Sequence, residues 1–76
     1  MNMERIVIPM RAQGDIKRLD LVAYVGEGIQ MSDPVMPLVE KTLSVLDEHF
    51  VGVADTDRYL DEFGVYVVDV LIQGVL

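Results

Sequence analysis

The chain has 76 residues, a hydrophobic fraction of 51%, a net charge of −7 and no cysteine. A chain of this length makes one domain, 1–76, that buries only about 60% of its unfolded surface, and so high an apolar fraction excludes a disordered polymer despite the charge. The missing cysteine excludes disulfides, thiolate nucleophiles and Cys-based zinc sites. It suits a reducing compartment, so the expected location is the cytoplasm, of a host cell if the source is viral.

Residues 4–11 alternate, with Ile6, Ile8 and Met10 on one face and Arg5, Val7, Pro9 and Arg11 on the other, and predict a strand. Residues 17–25 alternate again and predict a second strand, with Leu19, Leu21, Ala23 and Val25 on one face. Gln13, Gly14 and Asp15 signal a turn between them, so the two strands are expected to form a hairpin. Pro9 cannot donate a ladder hydrogen bond, which puts the first strand at an edge or gives it a bulge.

Gly26 and Gly28 are expected to break the second strand. Ser32 and Asp33 are good helix caps and Pro34 suits a first helical position. Val35, Leu38, Val39, Leu43, Leu46 and Phe50 recur at spacings of three and four, which predicts an amphipathic helix over 34–49. Its wet side carries Glu40, Lys41, Ser44, Asp47 and Glu48, with Val45 as the exception. Residues 51–54 read equally as a short strand or a connector. Asp55 or Thr56 caps a short helical turn reaching Phe63, with Gly64 in a left-handed C-cap. Residues 65–73 are β-branched and bounded by glycines, and predict the last strand.

The order β-β-α-short α-β predicts an α+β fold: a small mixed three-stranded sheet with one amphipathic helix on one face. A crossover through the helix sets the last strand parallel to the second, with the second strand central and the last at an edge. One helix covers one face only. The other face of the last strand, Val65, Val67, Asp69 and Leu71, is therefore expected to meet a partner strand, in a homodimer or with another protein. The competing expectation folds residues 51–63 over that face.

Charge is lopsided: residues 1–18 carry a net +2 and residues 19–76 a net −9. The densest part is Asp47, Glu48, Asp55, Asp57, Asp61 and Glu62, answered by Arg58. Such a field repels nucleic acid and anionic membrane and attracts a basic partner, although acidic faces also simply keep small proteins dissolved. Arg5, Arg11, Lys17 and Arg18 are too few to reverse it for direct nucleic-acid binding.

Catalytic constellations fail one by one. His49 is the single histidine and falls at the end of the predicted helix, where it reads as a cap. Ser32 and Ser44 read as a cap and a polar-face residue, which leaves no Ser-His-Asp set. A calcium loop starting at Asp55 needs glycine where Leu60 stands and glutamate where Tyr66 stands. Gly26 and Gly28 lack the third glycine and lysine of a phosphate loop. No enzyme activity, cofactor or metal site is expected. The longest apolar stretch, 65–72, is interrupted by Asp69 and falls short of the ~20 residues that span a bilayer. Residues 1–10 interleave acid and base, so no targeting segment is expected.

The expected function is that of an acidic protein-binding module. Its sharpest form is a nucleic-acid mimic: an inhibitor of the phage or mobile-element kind, whose Asp47, Glu48, Asp55, Asp57, Asp61 and Glu62 occupy a basic nucleic-acid-binding surface of the target. The alternative is a self-assembling subunit of a virion or other complex, joined through the last strand.

Overall fold

Alternating apolar residues recur along most of this chain, and a strand is stable only when both of its edges find neighbours or are protected. A computed structural model describes residues 5–29 and 36–73. Six strands form: β1 Ile6–Gln13, β2 Leu21–Ile29, β3 Pro37–Thr42, β4 Phe50–Ala54, β5 Tyr59–Leu60 and β6 Tyr66–Gln73. They lie in the order β1-β3-β2-β4-β6-β5, and β1 pairs back onto β6. The first five strands in that order close a barrel, and β5 is a short flap on β6. A closed ring with an odd number of strands cannot alternate direction at every step, so one neighbouring pair has to be parallel. That pair is β1–β3, with Arg11, Ala12 and Gln13 beside Leu38, Val39 and Glu40. The other pairings are antiparallel.

This overturns the expected α+β class: the described residues contain no helix and the fold is all-β. The segment expected as an amphipathic helix, 34–49, becomes β3 and a loop, with residues 34 and 35 outside the described ones. Its three-and-four spacing loses to tertiary pairing, because β3 gains a ladder on each edge, to β1 and to β2. Val39 is wholly buried there, whereas Leu43 and Leu46, assigned to the same buried helix face, stand in solvent. The short helical turn expected over 55–63 is bends, β5 and a tight turn. Gly64 does take a left-handed backbone, φ 76°, but in the β5–β6 turn rather than in a helix cap. Residues 51–54 resolve as strand.

The expected strand order is corrected too. β1 and β2 do not form a hairpin, because β3 lies between them. β2 does not neighbour β6, and β6 is no edge strand. Gly26 and Gly28 do not end β2, which runs on to Ile29 with its register to β3 shifted between Tyr24 and Ile29. The expected caps Ser32 and Asp33 lie outside the described residues. Pro9 sits opposite Asp69, where β1 pairs with β6 alone; pairing to β3 starts at Arg11. A missing donor is tolerated at such a place.

Every strand of the barrel supplies the core: Met10, Val22, Val39, Ala54, Val68 and Val70 are each at most 2% exposed. Removing each of these valines from water is worth about 1.5–3 kcal/mol. Met10 lies opposite Val68 within the core, while Ile8, opposite Val70, stays exposed. Gly52 faces Val22 across β4 and β2. A Cβ at Gly52 would collide with the Leu71 carbonyl oxygen, so only glycine allows β4 this close to β6.

Candidate protein-contact site at the loop end of the barrel

Strand directions place two loops at one end and start a third there. β1, β3 and β4 finish there, and β2 and β6 begin there, as the pairs Gln13–Glu40, Leu21–Thr42 and Arg11–Val67 show. Loops 14–20 and 55–65, the latter including β5, lie at that end; loop 43–49 starts there after β3 but runs back across β2 to the start of β4 beside Tyr24, because β3 and β4 point the same way. The three loops carry eight carboxylates against three basic side chains, a net of −5 out of the chain's −7.

Loop 14–20 drops Ile16, with no exposed surface, into the barrel core, and Arg58 donates its amide to the Ile16 carbonyl at 3.0 Å. The Arg58 side chain donates to the Gly14 carbonyl (3.1 Å), approaches Asp15 (3.7 Å) and lies over the Tyr66 ring at 4.1 Å. A β-turn closes over 17–20, where the Asp20 amide donates to the Lys17 carbonyl (3.0 Å). Leu19 holds its third position with φ 76°, a conformation that favours glycine and costs another residue about 1–2 kcal/mol.

Loop 43–49 crosses from the end of β3 to β4 and is laced by Asp47. The Asp47 carboxylate accepts from the Thr42 hydroxyl and the His49 amide, each at 2.9 Å. The Asp47 amide donates to the Ser44 carbonyl (3.2 Å), and the Ser44 hydroxyl accepts from the Leu46 amide (3.0 Å). The Tyr24 amide binds the His49 carbonyl (2.9 Å), which ties the loop to β2. These bonds, that from the His49 amide above all, hold the Asp47 carboxyl below its usual range. With its polar groups engaged inward, the loop turns Leu43 and Leu46 outward, 91% and 90% exposed, beside an exposed Val45.

The β5–β6 turn follows the same plan. Asp61 accepts from the Phe63 and Val65 amides, both at 2.9 Å, and its carbonyl accepts from the Gly64 amide (3.1 Å). Leu60 and Phe63 stay exposed. Behind the turn, the Tyr59 hydroxyl donates to Asp69 at 2.6 Å, and that bond, with burial and the charges of Asp69 and Asp61, pushes the phenol up to about 12.

All six predicted carboxylates lie in these loops, but they do not form one free anionic array. Asp47 and Asp61 lace their turns, Asp55 pairs with Arg5 at 2.5 Å, and Asp57 accepts from the Arg18 amide at 2.7 Å. Glu48 and Glu62 are exposed; Glu48 is 3.4 Å from His49 Nε2. His49 belongs to the loop, since there is no helix here for it to cap. The four predicted partner-strand residues precede or lie along the outer face of β6. Val67 and Leu71 are buried there, Val65 and Asp69 half-buried. β1 takes one edge of β6, while β4 and β5 take the other, and the Asp55 amide and Thr56 hydroxyl bond Asp69 between them.

Sequence reasoning missed the exposed leucines because it placed them inside a helix. The available signal was Ser44 and Asp47, turn formers three apart, with Val45 already out of place on a wet helix side. Among the described residues no group of three His, Cys, Asp or Glu side chains could hold a metal ion, and no helix is long and apolar enough to cross a membrane. Compared with known proteins, the chain matches no family model, no curated protein and no solved structure.

Proposed function

We propose that this chain is a non-enzymatic protein-binding module of the cytoplasm that presents its acidic loops, the β3–β4 crossover loop 43–49 first among them, to a basic protein partner. The observation that carries the reading is Leu43 and Leu46, about nine-tenths exposed on a loop whose backbone is held by hydrogen bonds. Two leucines fixed in water by a preorganised loop suit burial in a complementary surface, with little ordering cost on binding. The surrounding net of −5 selects that surface by sign. Two cations outside the loops, Arg5 on Asp55 (2.5 Å) and Lys41 on Asp20 (3.7 Å), offset part of that charge, and the remaining carboxylates carry the field. The most specific form of the reading is an inhibitor, of the kind made by phages or mobile elements, that covers a basic nucleic-acid-binding surface. Its contact is mixed, with apolar anchors inside an acidic rim, rather than a pure imitation of phosphates.

The test is affinity capture with the native chain, the Leu43→Ser/Leu46→Ser pair and the Glu48→Lys/Glu62→Lys pair. The native chain should retain a basic protein that high salt releases. The leucine pair should lose it, and the lysine pair should weaken it most at low salt. A partner held equally by all three chains would refute the reading.

A further inference from the structure

The β5–β6 turn joins an exposed aromatic ring to carboxylates that no cation answers. Phe63 is the most exposed aromatic residue among those described, at 65% against 43% for Tyr66, and Leu60 in the same turn is 57% exposed. The turn is fixed. The Asp61 carboxylate accepts from the Phe63 and Val65 amides, the Asp61 amide donates to the Val65 carbonyl (2.9 Å), and Gly64 supplies the left-handed residue. Residues 59–66 carry two carboxylates and no basic side chain. Neither Asp61 nor Glu62 takes part in an ion pair among the described residues. Arg58, the nearest basic residue in the chain, is committed elsewhere: to the Gly14 carbonyl, toward Asp15 and over the Tyr66 ring.

We propose that Phe63, with Glu62 and Asp61 beside it, is a docking point for an arginine side chain of the basic partner. This rests on the function proposed above and names the side chain recognised at a second place on the acidic loops. Arg58 shows the arrangement within this chain: its guanidinium lies 4.1 Å over the Tyr66 ring and 3.7 Å from the Asp15 carboxylate. At the β5–β6 turn a ring and carboxylates are present without the guanidinium. A planar cation stacks on an aromatic face and its fork of donors meets a carboxylate, which a lysine ammonium does less well. Phe63 supplies the face. Glu62, exposed, supplies free carboxylate oxygens, while Asp61 adds charge from within the turn.

The probe is end-blocked triarginine, titrated into the native chain and followed by amide chemical shifts, with end-blocked triglutamine as the neutral control. Shifts should centre on residues 61–64, saturate, and shrink as salt is added. Phe63→Leu keeps an exposed apolar side chain but loses the ring, and Glu62→Gln keeps the shape but loses the charge. Each should raise the half-saturating concentration about two- to fivefold. In affinity capture, the Phe63→Leu chain should release the basic partner at lower salt than the native chain does. Triarginine shifts that centre elsewhere, that triglutamine reproduces, or that Phe63→Leu leaves unchanged overturn the docking point and leave the proposed function, which Leu43 and Leu46 carry, standing. A native chain that captures no basic protein overturns the proposed function, and the docking point falls with it.

Discussion

In the barrel wall, Val22, Val39, Val68 and Val70 have no exposed surface, while in the loops Leu43 and Leu46 have almost nothing else. The two regions differ in what satisfies the backbone. Wall residues bond strand to strand, so side chains are sorted by the pleat into inside and outside. Loop residues bond to Asp47, Ser44, Asp57 and Asp61. There Asp47, Ser44 and Asp61 fold inward onto amides and Leu43, Leu46, Leu60 and Phe63 are left facing water, while Ile16 alone among the loop apolar residues is fully buried. Such a surface is tolerated because the wall, with Ile16 beneath it, carries the stability.

The sharpest way to break the comparison is to truncate one residue in each region. Met10→Ala should cost about 2–5 kcal/mol in denaturant unfolding. Leu46→Ser should stay within about 0.5 kcal/mol. Equal losses would mean that the loop leucines are part of the core after all. Gly52→Ala should cost about 1–3 kcal/mol, although it adds a single methyl group, because the atom in its way is a backbone oxygen that cannot rotate aside. A crystal structure of that variant should show β4 displaced from β6.

Asp61→Ala should cost about 1 kcal/mol and act locally, since it frees the Phe63 and Val65 amides and little else. Amide hydrogen exchange should quicken at those two positions while Val68 and Val70 stay protected. The smallest effect is expected at alkaline pH. The folded-state pKa of Tyr59 is raised to about 12 from 10.0, so the folded chain holds that proton more tightly. The stabilisation is present in full below pH ~10 and is lost as pH rises through about 12. Thermal melts across that window should fall for the native chain and flatten for Tyr59→Phe.

Much of the wall was legible in the sequence. Alternation along β1 and β6 put Met10 on one face and Val68 with Val70 on another, and these three are buried, because a pleated strand sorts its side chains with period two; Ile6, Ile8, Tyr66 and Ile72 of the same faces stay exposed. Composition and charge bounded the chain to one folded acidic domain. The acidic residues were visible as a cluster in the sequence but not as loops: Asp47 and Glu48 were expected on a helix and Asp55 to Glu62 in a helical turn, and β4 separates the two groups. Tertiary structure decided the rest. Whether 34–49 became helix or strand depended on edges offered by β1 and β2, far away in sequence, and a window of sixteen residues contains no record of them. Ring closure, the parallel β1–β3 pair and the covering of both edges of β6 are properties of five strands together. The outward turn of Leu43 and Leu46 followed from that choice: once β3 was a strand, the helix face that would have buried them did not exist.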